Sequence, residues 1–370
     1  MTGKRVAARV AHINLSGIRK LFDSAGPDSI SLGLGQPDFD TPQHIKDAAI
    51  QAIREGKTGY TANTGIPELR EAISEKFRRE NGLAYSPDQL IVTAGASEAL
   101  HLVMEALVSP GDKVLFPDPG FVAYAALAEL AGGRPEGIPL TRDLRIDIEK
   151  AKEAMDGARL LVINSPGNPT GAVETKDSLR AIVEYANDRG VTVVSDEVYE
   201  HYLYGGAKHW SAAQFGDDVI TINATSKTYA MTGWRLGYLA APEEYIGPCL
   251  KVHQYCQACA TSISQYAALA AYTGDQSCVD AMRREYEARR DLLCSGLHDL
   301  GLAFPKPEGA FYLFVPMEQS IVESVIARGV IIVPGSAFGE NAPGYARISY
   351  AASRENLMRA LDRIRSVMSG

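Results

Sequence analysis

Five short runs rich in apolar and β-branched residues recur along the chain: Leu90 to Thr93, Lys113 to Phe116, Leu160 to Asn164, Thr192 to Ser195 and Val219 to Asn223. Stretches of helical character separate them. That alternation predicts an α/β fold with a mostly parallel sheet between helices. In such sheets ligands bind beyond the carboxyl ends of the strands. The residues with chemical potential fall at those ends: Ala94 to Ser97, Asp118 to Phe121, Asn164 to Gly171, Asp196 to Tyr199, and Ser226 to Lys227.

A chain of 370 residues is long enough for about two domains. Before the alternation, residues 1–40 read as an arm with a helical piece from Ser16 to Ser24 and a Gly/Pro-rich turn, Gly33 to Asp38. Residues 41–275 carry the alternating pattern. Helices are expected over Pro42 to Glu55, Pro67 to Glu80 and Ser97 to Val108, with Ser97 as the natural cap of the third. Residues 276–370 change character. A long charged helix from about Asp275 to Leu300 leads to strand patterns at Gly309 to Phe314, Val330 to Pro334 and Tyr345 to Tyr350, then a helix from Arg354 to Met368. This describes a smaller α+β domain, joined by the N-terminal arm.

Composition excludes several classes. The formal charge of −8 and the lack of a basic block argue against nucleic acid as a partner. The N-terminus has no apolar core of the signal-peptide kind, and no run is long enough to cross a membrane, so a cytoplasmic protein is expected. The five cysteines are an odd number and give no disulfide framework. His253, Cys256 and Cys259 sit three apart, but no further pair lies nearby. No metal is expected, and these cysteines read as core thiols on a helix.

Lys227 follows a strand run directly, and Arg235 stands eight residues further on, beyond a glycine. A lysine amine condenses with aldehydes when burial or neighbouring charge lowers its pKa. Arginine offers a planar charged fork suited to phosphate. An aldehyde and a phosphate on one small molecule describe pyridoxal 5'-phosphate. Asp196 ends an apolar strand, where a carboxylate needs a cation or caps the next helix. A protonated pyridine nitrogen is such a cation, and Tyr199 could then donate to the ring's phenolic oxygen.

Asn168 sits in the rigid turn Ser165 to Gly171, where it holds either a ligand oxygen or simply the turn, and a cis Asn168–Pro169 bond is compatible with it. Gly95, Ala96 and Ser97 form a small-residue turn into a helix, which is a phosphate cradle or a plain connection. Phe121 either stacks on a planar ligand or packs in the core. Arg347, in an apolar strand, requires an anion, from a substrate or from an internal acid. Gly33-x-Gly35 opens no helix and lacks a third glycine, which excludes a dinucleotide fingerprint.

Together these segments resemble the class I/II aminotransferases, pyridoxal-phosphate enzymes of fold type I. The likeness runs from about Ile30 almost to the C-terminus. It rests on SLGLGQPDFDTP, GYTANTGIPELREAI, SPGNPTG, SDEVYE, SKTYAMTGWRLGY, GAFYLF, PGSAFG and RISYA, in that order. Within the family the archaeal-type aromatic and aspartate-like enzymes are the most similar. The resemblance implies a large domain around a seven-stranded sheet and a smaller second domain. It makes Lys227 the Schiff-base lysine and proton shuttle, Asp196 the partner of the pyridine nitrogen, and Tyr199 and Asn168 partners of the phenolic oxygen.

By the same resemblance Phe121 stacks on the ring, while Arg235, Ser226 and the turn Gly95-Ala96-Ser97 hold the phosphate. Tyr60 reaches the phosphate of a neighbouring subunit, which implies a homodimer. Arg347, with Gly35 and Asn168, binds the substrate α-carboxylate. The chain departs from many relatives at Ala224, where they carry a phosphate-binding hydroxyl, so that contact falls to Thr225 or Ser226. The activity implied is transfer of an amino group from an aromatic or aspartate-like L-amino acid to a 2-oxo acid such as 2-oxoglutarate, in ping-pong order. A β-lyase on the same scaffold is the alternative.

Overall fold

The computed structural model describes residues 6–11, 13, 26 and 28–369, so the expected helix from Ser16 to Ser24 lies outside the described residues. A first short strand, β1 (Ile30–Ser31), precedes the central sheet. That sheet holds β2 (Leu90–Thr93), β3 (Lys113–Asp118), β4 (Arg134–Pro139), β5 (Ala158–Asn164), β6 (Thr192–Asp196), β7 (Val219–Ala224) and β8 (Gly237–Ala240). Their spatial order is β2-β8-β7-β6-β5-β3-β4. Strands β3 to β7 pair in parallel, whereas β8 runs antiparallel to both its neighbours.

The strands legible as apolar runs are buried along most of their length. Leu160, Val162, Val194, Ile220 and Ile222 are fully buried, and each contributes about 1.5–3 kcal/mol by leaving water. Two strands of the central sheet escaped the sequence reading. β4 is an edge strand, and its two prolines are tolerated there because an edge leaves ladder positions unused. β8 spans only four residues and is hidden inside a motif read for its chemistry.

The expected helices occur with small shifts. Gln43–Arg54 and Pro67–Lys76 both start at or just after a proline, and the second continues as a wider turn over Phe77–Asn81. The helix Ala96–Leu107 begins one residue early. Gly95 is its cap, and Ser97 lies inside the first turn, which corrects the expected serine cap. The cysteines need a larger correction. The helix Glu243–Cys256 ends at Cys256, which is exposed, and Cys259 lies beyond it and is half-buried. Cys249 and Cys294 are the buried thiols.

After the long helix Ser277–His298 comes a second sheet built from β9 (Tyr312–Pro316), β11 (Val333–Pro334) and β12 (Tyr345–Ser349), all antiparallel. β10 (Val330–Ile331) pairs in parallel with β1, so the chain's first described strand is fastened to its last quarter. The closing helix Arg354–Met368 is capped by the Ser353 hydroxyl, which accepts from the Asn356 amide. Among the described residues no helix is long and apolar enough to cross a membrane.

Candidate active site

A cavity of about 480 Å³ opens at the carboxyl ends of the central strands. Lys227 lies within it, on a single helical turn (Thr225–Thr228) that follows β7 directly. Its Nζ donates to the Gly35 carbonyl at 2.6 Å. Burial pushes the amine down to about 8, helped by the positive charges of Arg347 and Arg235 and opposed by Asp196. A useful fraction is therefore neutral at physiological pH, which a base or nucleophile requires.

Asp196 ends β6 inside the cavity wall. Burial raises its carboxyl to about 6, against the lowering effect of hydrogen bonds from the Tyr124 hydroxyl and the Val198 amide and of the Lys227 charge. The Tyr124 bond measures 2.7 Å. Tyr124 was not anticipated from the sequence. Phe121 also lines the cavity, and Tyr124 meets it edge-to-face with ring centroids 5.6 Å apart. A spacing of three residues into a helix is the signal that could have found it.

The far end suits an anion. Gly95 has φ +83°, and a Cβ there would lie 2.6 Å from the Arg235 guanidinium, so only glycine fits. Behind it starts the 12-residue helix Ala96–Leu107. Ala96 and Ser97 line the cavity, and a helix start leaves such amides without intrahelical acceptors. Arg235 is itself in the left-handed region at φ 52° and is braced by the carbonyls of Thr232 and Ala94. Of the two hydroxyls considered near Lys227, Ser226 faces the cavity, whereas Thr225 spends its Oγ1 on the Leu236 carbonyl.

Arg347 enters from β12 and is only 2% exposed. It donates to the Asn168 side-chain oxygen at 2.8 Å and the Gly33 carbonyl at 2.5 Å, and lies between the rings of Tyr312 and Phe338. No acidic side chain pairs with it among the described residues. Its Nε is buried without a partner. An arginine offers only donors, so Asn168 must turn its oxygen toward Arg347, leaving Nδ2 free. The Tyr199 and Tyr312 hydroxyls lie 2.7 Å apart and share one hydrogen bond, which leaves the second O–H unspent. Tyr312 was read only as part of a strand. It also explains Gly35, where a Cβ would lie 2.4 Å from its hydroxyl.

Thus Gly35, Ala96, Ser97, Phe121, Asn168, Asp196, Tyr199, Ser226, Lys227, Arg235 and Arg347 share one cavity, with Gly95 directly behind it. Tyr60 does not belong to it. It is 90% exposed. The Asn168–Pro169 bond is cis, as are Asp118–Pro119 and Ser165–Pro166.

The family model for aminotransferases of class I and II matches residues 27–364. The chain belongs to that family. It is 46% identical to a probable aspartate aminotransferase of Methanocaldococcus jannaschii, covering 98% of this chain and 99% of the relative. An aromatic-amino-acid aminotransferase of Thermococcus litoralis is 42% identical over 97% of each chain. The solved aspartate aminotransferase of Thermus thermophilus with maleate superposes with a TM-score of 0.94 at 39% identity, covering 98% of this chain. The enzyme is accordingly a pyridoxal-phosphate-dependent aminotransferase of fold type I. Its residues fit that cofactor: the glycine-only cradle under Arg235, the buried Asp196 carboxylate and the buried amine of Lys227 match its phosphate, ring nitrogen and aldehyde.

Proposed function

We propose that the enzyme transfers the amino group of an aromatic or aspartate-like L-amino acid to a 2-oxo acid such as 2-oxoglutarate. The observation that carries this reading is the Lys227 amine. It is lowered to about 8 and lies in one cavity with a buried carboxylate and an arginine whose Nε lacks a partner. Relatives named for aspartate, aromatic and prephenate aminotransfer support the substrate class.

Bound pyridoxal phosphate supplies an aldehyde for the amino group and a ring that withdraws electrons from the α-carbon. Arg347, supported by Asn168 and Gly35, holds the α-carboxylate and so aims the α-hydrogen at Lys227. Lys227 Nζ takes that proton as general base. Asp196 would keep a proton on the pyridine nitrogen. Asn168 Nδ2 would donate to the ring oxygen, as would the Tyr199 O–H where Tyr312 donates the hydrogen bond between the two hydroxyls. Arg235, Ser226 and the Gly95-Ala96-Ser97 turn would hold the phosphate, and Phe121 would cover the ring face.

The proposed unit is a cytoplasmic homodimer in which Tyr60 reaches the neighbouring site. The 90% exposure of that tyrosine, outside its own subunit's cavity, supports the pairing. We divide the chain into an arm (1–40), a large cofactor-binding domain (41–275) and a small domain (276–370).

The test is a visible absorption spectrum of the purified enzyme, followed by single amino acids without an acceptor. A cofactor band that converts with aromatic or acidic amino acids supports the reading and names the donor. Ammonia and an oxo acid released over many turnovers without an acceptor would mean a β-lyase instead. Lys227→Ala should leave only trace turnover.

A further inference from the structure

Lys227 rides on a helix of four residues, Thr225–Thr228. A single turn does not hold itself, because helix nucleation is unfavourable. The chain that follows is strained as well: Ala230 and Arg235 both occupy the left-handed region, at φ 52°. The orientation of the lysine must therefore be imposed from outside its own segment.

Three consecutive residues do this. Glu200, His201 and Tyr202 follow the turn after β6, and each grips a different point of the lysine segment. The Tyr202 hydroxyl donates to the Lys227 carbonyl at 2.8 Å. His201 Nδ1 lies 3.2 Å from the Thr228 hydroxyl. Glu200 accepts from Asn223 Nδ2 at 2.6 Å, and the Asn223 side-chain oxygen in turn accepts from the Ala224 amide at 2.7 Å. We infer that Glu200, His201 and Tyr202 are positioning residues that fix the Lys227 amine by holding the chain before, at and after it.

The grip is itself anchored. Tyr202 is fully buried, with its ring edge-to-face against Tyr286 and Phe311 at 5.1 and 5.8 Å. His201 Nε2 reaches Glu80 at 3.1 Å. Glu200 pairs with the buried ammonium of Lys76 and accepts from Asn81 Nδ2 at 2.9 Å. Burial alone would raise the Glu200 carboxyl, but Lys76 and the two neighbouring histidines overcome this and hold it well below the ordinary range. Lys76, Glu80 and Asn81 belong to one helix and the wide turn that continues it, so the clamp fastens the lysine segment to a rigid element.

This inference rests on Lys227 being the base, and the test separates the two. Tyr202→Phe keeps the ring and removes only the donor; Thr228→Val removes the hydroxyl facing His201. If unsubstituted enzyme does not transaminate, the functional reading fails first. If it does, each variant should convert bound cofactor about fivefold more slowly in a single turnover, consistent with one lost hydrogen bond and a displaced base. KM for the amino acid should stay within about twofold, because Arg347 is untouched.

An α-deuterated amino acid should show an isotope effect at least as large as in the parent. In the cofactor-free protein, amine-reactive labelling of Lys227, read by peptide mass spectrometry, should have its pH midpoint near 8 in the parent and higher in the variants, as the amine slips from Arg347, Arg235 and Asp196 toward water. A lower melting temperature with parent single-turnover rate and labelling midpoint would overturn the proposal. So would a slower turnover that has lost its isotope effect.

Discussion

The Tyr124 hydroxyl donates a 2.7 Å hydrogen bond to Oδ2 of Asp196, and both side chains are buried. The same phenol ring supports Phe121 edge-to-face. One side chain thus steadies both the Asp196 carboxylate and the Phe121 ring, the pair we propose to hold the cofactor's ring nitrogen and ring face.

Tyr124→Phe should therefore weaken cofactor function without unfolding the enzyme. The bond lowers the Asp196 carboxyl, so its loss should let that pKa rise further. A hydrogen bond to a charged group contributes about 1.5–3 kcal/mol. Since only part of this differs along the reaction, the single-turnover rate should fall about tenfold. Stopped-flow spectroscopy at pH 6 and pH 8 checks this, with the larger defect expected at pH 6. An equal rate at both pH values would leave the bond without a role.

Asp196 predicts a signature in the cofactor-free protein. Its carboxyl rises from the ordinary 3.8 to about 6 through burial. The folded state then binds this proton more tightly than the unfolded chain does. That contribution to stability is fully present below about pH 3.8 and is lost as pH rises through about 6. Asp196→Asn removes it. Between pH 4 and pH 7.5 the variant should gain on the parent by up to about 3 kcal/mol. Urea midpoints of the two cofactor-free proteins measure the difference. A parent that gains on the variant as pH rises would contradict the sign.

Much of the site was legible because its residues stand at strand ends, where α/β sheets bind ligands. Asp196 and Lys227 each left a plain reading open when taken alone, and gained weight only because they recur together with Asn168 and Arg235 at or after strand ends. Tyr124 and Tyr312 gained none. Each sits in an apolar segment where aromatic residues are ordinary core, and their hydroxyls acquire meaning only when the chain brings Asp196 or Tyr199 within reach. β4 was illegible for a different reason: an edge strand can carry Pro135 and Pro139, which sequence rules read as a loop. Ser97 was misread as a cap because Gly95, at φ +83°, takes that place to clear Arg235.

Gly95 yields a selective prediction. A Cβ there would meet the Arg235 guanidinium at 2.6 Å from a backbone conformation that disfavours side chains. Gly95→Ala should displace Arg235 from the anion end. Affinity for pyridoxal phosphate should fall at least about tenfold, the scale of one lost charge-assisted contact. Affinity for pyridoxal, which lacks the phosphate, should change far less. Fluorescence titrations of the cofactor-free protein with the two compounds test the contrast; equal losses would place the damage elsewhere.

Arg347 is held by Asn168 and Gly33 through hydrogen bonds and by Tyr312 and Phe338 through their ring faces at 4.5 and 4.7 Å, with Nε left unpartnered. Burial lowers its pKa, so the charge is costly where it stands. A planar fork also presents two donors in fixed geometry, which an ammonium lacks. Arg347→Lys preserves the charge but not the fork. KM for the amino acid should rise about a hundredfold, roughly the 2–3 kcal/mol of a bidentate carboxylate contact, while kcat falls less. Primary amines without a carboxylate should react as slowly with the variant as with the parent, because they never used the fork. A variant that lost kcat at unchanged KM would show that Arg347 serves the reacting centre rather than the carboxylate.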